Sequence, residues 1–195
     1  MGNTLPSLFR RMKDVLSSAL VVVTDGHAHI HQGHMFDVDV VNLSMADAST
    51  AILAFKVGSA PTRAHLVVQF VTLIGGHVAL IEGPTWTPES GTPIPIVNRN
   101  RLSINPSFFQ ENQAQPGFVV SQNIIKDPAG LSGGTIIHTI YAFGERNKFS
   151  SESRDTTEWM LKPDTDYAIK FTADGGPSNK VQMNLVWYEH SSEEA

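Results

Sequence analysis

The chain of 195 residues contains no cysteine, which excludes a disulfide scaffold, a thiolate metal site and a cysteine nucleophile. The absence also fits folding in a reducing cytosol. Charge is sparse: 17% of residues are Asp, Glu, Lys or Arg, the formal net charge is −5, and the pI is near 5.9. Such a chain generates no field that gathers nucleic acid. The acidic residues are scattered, apart from a short tail from Glu189 to Glu194. Long apolar runs are missing, and nothing approaches the roughly 18 consecutive apolar residues of a membrane helix. Arg10, Arg11 and Lys13 precede apolar residues that Asp14, Ser17 and Ser18 interrupt, so no cleavable secretory signal is expected. The expectation is a soluble protein that binds neither nucleic acid nor membrane.

Hydrophobic residues make up 41% of the chain. A chain of this length buries roughly 70% of its unfolded surface, enough for one packed domain without metal or disulfide staples. Leu5, Leu8, Phe9, Met12, Val15, Leu16 and Leu20 recur at steps of three or four. That spacing predicts an amphipathic helix over residues 5–20, with Pro6 in its first turn. Three roles suit its stripe: a cover for the domain's own core, an arm docking on a neighbouring subunit, or a membrane-surface element.

After Leu20 the period becomes two. Phe36, Val38 and Val40 alternate with Asp37 and Asp39, and Val181, Met183, Leu185 and Trp187 alternate with Gln182 and Asn184. Ile136, His138 and Ile140 form a similar set, as do Tyr167, Ile169 and Phe171. Residues 64–73 and 78–81 are apolar on both faces, as central strands are. Turn signals stand between such runs at Asp25-Gly26, Gly75-Gly76, Gly133-Gly134, Pro163-Asp164 and Gly175-Gly176-Pro177. Many short strands with almost no helix between them predict a mostly β fold, an antiparallel β-sandwich of jelly-roll type. The organisation expected is an N-terminal helical arm over 1–20 and a sandwich over 21–195. From about residue 85 to 117 five prolines (88, 93, 95, 106 and 116) break the alternation. This predicts an extended, partner-contacting loop, with room for short edge strands at 94–97 and 101–104.

The loudest local signal is His27-Ala28-His29-Ile30-His31-Gln32-Gly33-His34. On a strand His27, His29 and His31 would share one face and could converge on zinc or iron. Residues 23–29 resemble the His-x-His of metal-dependent amidohydrolases. Those enzymes need a barrel of about 250 residues built by βα alternation, which is lacking here. Cupins follow such a pair with a glutamate a few residues on, whereas the next glutamate here is Glu82. The favoured reading places these histidines at a surface or interface without metal; a metal at an assembly axis and a catalytic metal are the alternatives. Gly130-Leu131-Ser132-Gly133-Gly134 matches the Gly-x-Ser-x-Gly spacing but reads as a turn with a serine in it, and no phosphate-cradling Gly-x-x-x-x-Gly-Lys loop is present. Glu82 and Glu158 are expected to accept hydrogen bonds from loop backbone or from Arg99 and Arg101. Trp187 and Trp159 read as core, and Trp86, in the proline-rich loop, is the one tryptophan for which exposure is entertained.

An ordered series of phrases carries a resemblance. They are His31-Gln32-Gly33-His34-Met35-Phe36, Ile81-Glu82-Gly83-Pro84-Thr85, Gly91-Thr92, Asn98-Arg99-Asn100-Arg101, residues 158–167, and Trp187-Tyr188-Glu189. Over residues 25–190 this order resembles a family of small structural proteins of tailed bacteriophages. The resemblance implies a capsid-associated decoration, cement or head-fibre protein, with no catalytic residues and no cofactor. Its implied setting is the virion surface after synthesis in the host cytoplasm, as a dimer or trimer bound to the major capsid protein. The partner-binding residues expected are Leu8, Phe9, Met12, Leu16, Trp86, Arg99 and Arg101. Asn98 and Asn100 are expected to close turns through their side chains, and Tyr167 to anchor a corner by its hydroxyl. The rival readings are a glycan- or receptor-binding module using Trp86, and a metal enzyme using His27, His29 and His31.

Overall fold

The structure, a computed structural model, describes residues 9–13, 20–109, 123–142, 158–176 and 178–191. Thirteen strands and one helix make up the described elements. Every strand pair is antiparallel.

Phe9–Lys13 (β1) pairs with Leu20–Thr24 (β2) as a two-stranded sheet. A strand therefore stands where the spacing predicts the middle of a helix, and the ladder to β2 overrides a marginal helical stripe. The rest of the predicted helix, residues 5–8 and 14–19, lies outside the described residues. The helix that does form is Asp25–Gln32 (α1), where the turn signal and the histidine run stand.

Two larger sheets face each other. One joins Met35–Met45 (β3), Thr62–Thr72 (β5), Val97–Asn98 (β8), Trp159–Leu161 (β11) and Asn179–Ser191 (β13), in the order β11-β5-β13-β3-β8. The other joins Thr50–Lys56 (β4), Gly76–Thr85 (β6), Thr92–Pro95 (β7), Asn123–Lys126 (β9), Ser132–Ala142 (β10) and Asp166–Ala173 (β12). Its order is β10-β6-β12-β4-β9-β7. Successive long strands β3, β4, β5 and β6 alternate between the sheets, as do β10, β11, β12 and β13. That hopping is the double Greek-key jelly roll expected from the periodicity.

The alternation explains the core. Phe36, Val38 and Val40 on β3 and Val181, Met183, Leu185 and Trp187 on β13 all point inward and are buried. They meet Leu53, Phe55, Leu80, Ile169 and Phe171 from the opposing sheet. Burying each large side chain is worth about 1.5–3 kcal/mol. Edge strand β10 departs from the pattern: a register shift between Ile136 and His138 breaks its ladder, and Ile136 is exposed. Gly133 and Gly134, read as a turn, lie within it.

Tyr167 ties a corner of the sandwich. Its buried hydroxyl donates to Glu82 Oε2 at 2.9 Å and accepts from the Lys162 backbone N–H at 3.0 Å. Burial pushes the phenol pKa above its ordinary range, and the Lys162 ammonium, 2.6 Å from Glu82 Oε1, pulls the carboxyl down. Glu82 therefore serves Lys162 and Tyr167, not the loop backbone or the arginines expected for it. Tyr167→Phe leaves the Lys162 N–H without its acceptor, so unfolding in urea is expected to show a loss of about 1–3 kcal/mol.

Candidate functional site

The functional candidates gather where α1, the start of β3, the end of β13 and the loop after β8 meet. Strand β13 serves two sides at once. Trp187 and Glu189 point inward to the loop, while Tyr188 and His190 point outward under α1.

On the outer side, α1 covers the sheet through a face that buries Ala28 and His29. Ile30 packs on Met35, Val186 and Tyr188. Histidine is an indifferent helix former, so packing rather than propensity holds this short helix. Its end is a Schellman motif: the His34 N–H donates to the His29 carbonyl at 2.9 Å and Gly33 N–H to Ile30 at 3.0 Å. Gly33 supplies the left-handed φ of 72° that the motif needs, and a Cβ there would strike Ser103.

A helical setting separates the three histidines expected to converge. His27 and His31 sit one turn apart on the exposed side, ring centroids 4.7 Å apart. His29 faces the sheet and stacks on Tyr188 at 4.3 Å. Their tripod does not form, because their spacing of two suits a strand and not a helix. A different cluster stands beneath α1 instead. His65 on β5 stacks on Tyr188 at 4.5 Å, and its Nε2 lies 3.0 Å from His190 Nε2. Glu158 Oε1 lies 2.6 Å from His65 Nδ1 and accepts from the Tyr188 hydroxyl at 2.9 Å. Glu158 thus contacts a histidine and a tyrosine, where loop backbone or Arg99 and Arg101 were expected.

On the inner side, the loop after β8 is pinned at many points. Asn98 Oδ1 accepts from the Asn100 N–H and Asn100 Oδ1 from the Leu102 N–H, the side-chain-closed turns expected of them. Their amide nitrogens, with that of Asn105, reach the last carbonyls of α1. Asn98 donates to Gly33, Asn100 to His31 and Asn105 to Gln32, at 2.9, 3.0 and 3.2 Å. Carbonyls that a helix end leaves without intrahelical partners are satisfied by the loop. Further on, Phe109 enters the core, stacked 4.4 Å from Phe55 and 4.5 Å from Trp187.

Glu189 closes the arrangement from inside. Its carboxylate accepts from the Ser107 hydroxyl at 2.7 Å, the Phe108 N–H at 3.0 Å and Trp187 Nε1 at 2.9 Å. Burial raises its pKa to about 7, against the lowering effect of those three donors. The sequence placed this residue in an acidic tail; the structure buries it. Ser103 at the loop tip rests against Gly33, while its neighbours point into solvent: Leu102 is 95% exposed and Ile104 96%.

No protein-family model, no curated protein and no solved structure matches the chain.

The other expected contact residues fall in different places. Leu8 and Leu16 lie outside the described residues, and Phe9 and Met12 lie in β1. Trp86 is half-buried, packed against Ala54, Ala79, Ile81 and Ala168 on the outer face of the six-stranded sheet. Arg99 and Arg101 are exposed on the loop as expected, with Arg99 Nε 3.9 Å from Asp37 Oδ2. Burial raises the Asp37 pKa, outweighing Arg99. The Pro-rich segment holds short strands at β7 and β8, whereas 101–104 is a turn and coil. Leu102 and Ile104 escaped the sequence reading because exposure of an apolar residue leaves no periodic trace.

Proposed function

We propose that this chain is a structural protein of a tailed-phage particle, a decoration or cement protein that self-associates and binds the capsid lattice. The observation that carries the reading is the rigid loop that holds Leu102 and Ile104 in solvent. Apolar side chains at a pinned tip lose little conformational freedom on docking, so their burial translates efficiently into binding. Arg99 and Arg101 beside them suit carboxylates on the lattice. A second apolar area supports self-association. Val41 and Val71 flank Gln182 on the outer face of the five-stranded sheet, with exposed Leu43 two residues further along β3 and exposed Leu73 just past the end of β5. The jelly-roll topology suits shell and display proteins, and the ordered phrases at 31–36, 81–85, 98–101 and 158–167 supply the phage assignment.

Repeated weak contacts on one lattice add by avidity. Each fully buried Leu or Ile contributes about 1.5–3 kcal/mol, so the Leu102→Ser, Ile104→Ser double variant is expected to bind particles at least tenfold more weakly. Its melting temperature is expected to stay at the wild-type value. Co-sedimentation with particles checks the first, together with copy number per particle, expected in the hundreds. Unchanged sedimentation of the double variant, or a dozen copies or fewer, would count against a capsid-surface role.

A further inference from the structure

We propose that His65 and His190 form a binding site for a divalent transition-metal ion, with Glu158 as the carboxylate that orients His65. An ionised carboxylate only accepts hydrogen bonds. The 2.6 Å contact to Glu158 Oε1 therefore places the His65 proton on Nδ1, and its Nε2 lone pair then points at His190 Nε2, 3.0 Å away. Two imidazole nitrogens this close share either a proton or, after a small ring rotation, a metal ion. Metal–imidazole bonds of about 2.0–2.1 Å separate two ligand nitrogens by about 2.9 Å at a right angle and about 3.3 Å at a tetrahedral one. The observed spacing lies between these.

The surroundings favour the metal. A carboxylate on the far nitrogen is the usual outer-shell partner of a metal-bound histidine and raises its basicity. Stacking on Tyr188, with the planes 11° apart, fixes the His65 ring before any ion arrives. The side chains of His65 and Glu158 remain 16% and 21% accessible, so water can complete the coordination sphere. Arg63, opposite His190 in the ladder, directs its Nη1 to Met160 Sδ at 3.7 Å on β11. Among the described residues no group of three or more His, Cys, Asp or Glu side chains is placed to hold a metal ion, and Glu158 contacts His65 rather than the point between the two Nε2 atoms. The site is thus two-coordinate from protein, exchangeable, and tighter for borderline ions such as Zn²⁺ or Ni²⁺ than for Mg²⁺.

The test uses the full chain without a polyhistidine tag, stripped by chelator, in a His27→Ala, His31→Ala background that removes the exposed pair on α1. Calorimetric titration with ZnCl₂, repeated with NiCl₂, is expected to show one saturable equivalent. His65→Ala or His190→Ala is expected to weaken it at least tenfold, and Glu158→Gln by about ten- to a hundredfold. The imidazole NMR signals of His65 and His190 are expected to move with zinc in the folded, site-intact background protein, a readout that survives if the alanine variants fold poorly. Absence of saturable binding, unmoved His65 and His190 signals, or full binding by the His65→Ala, His190→Ala double variant would each overturn the proposal and leave a hydrogen-bonded pair only.

Discussion

Glu189→Gln is expected to flatten the dependence of folding stability on pH. In the unfolded chain this carboxyl titrates near its ordinary value of 4.5, and in the fold burial raises it to about 7. Between those values the folded state holds a proton that the unfolded state has lost. Stability therefore falls as pH rises, by about 1.4 kcal/mol per unit, or roughly 3 kcal/mol across the window. The contribution is fully present below about pH 4.5 and gone above about pH 7. Glutamine keeps an oxygen for the Ser107, Phe108 and Trp187 donors and does not titrate. Urea unfolding of both proteins at several pH values, taken as a difference curve, isolates this group from Glu82 and Asp37. A flat difference curve would show that the carboxyl titrates alike in both states, and the anchoring account would fail.

Phe109→Ala is expected to be the more damaging change, costing about 3–5 kcal/mol. Phe109 belongs by sequence to a proline-rich connection, yet it is fully buried, with its ring between Phe55 and Trp187. Truncation leaves a cavity that two stacked aromatics cannot collapse to fill. It also removes the inner fastening of the loop whose tip carries Leu102 and Ile104, so under the proposed capsid role particle binding should weaken along with stability. Changing Leu102 alone to serine, by contrast, is expected to shift stability by less than about 0.5 kcal/mol. Thermal unfolding of the two variants checks the pair. A loss below about 1 kcal/mol for Phe109→Ala would mean that the loop rests on the sandwich without completing its core.

Much of the sandwich was legible because burial on one sheet face forces a period of two. Residues 36–40 and 181–187 show it cleanly, and Tyr167 could be assigned to a corner because a turn precedes it. The histidine run was misplaced for the same reason. His27, His29 and His31 alternate as a strand would, and only contact with Met35, Val186 and Tyr188 makes that segment a helix. The cluster beneath α1 was invisible: His65, Glu158 and His190 stand far apart in the chain and are joined by strand pairing alone.

Local patterning was thus enough to establish a two-layered antiparallel sheet protein, free of cysteine chemistry, with asparagine-closed turns beside an arginine-bearing loop. Tertiary contacts decided which end of β13 faces which partner, that Glu189 is buried, that Phe109 is core, and that His65 meets His190. The division has one physical cause. Alternation and turn chemistry act between neighbours in sequence, whereas burial of a carboxyl or the meeting of two imidazoles depends on strands that pair across the whole chain.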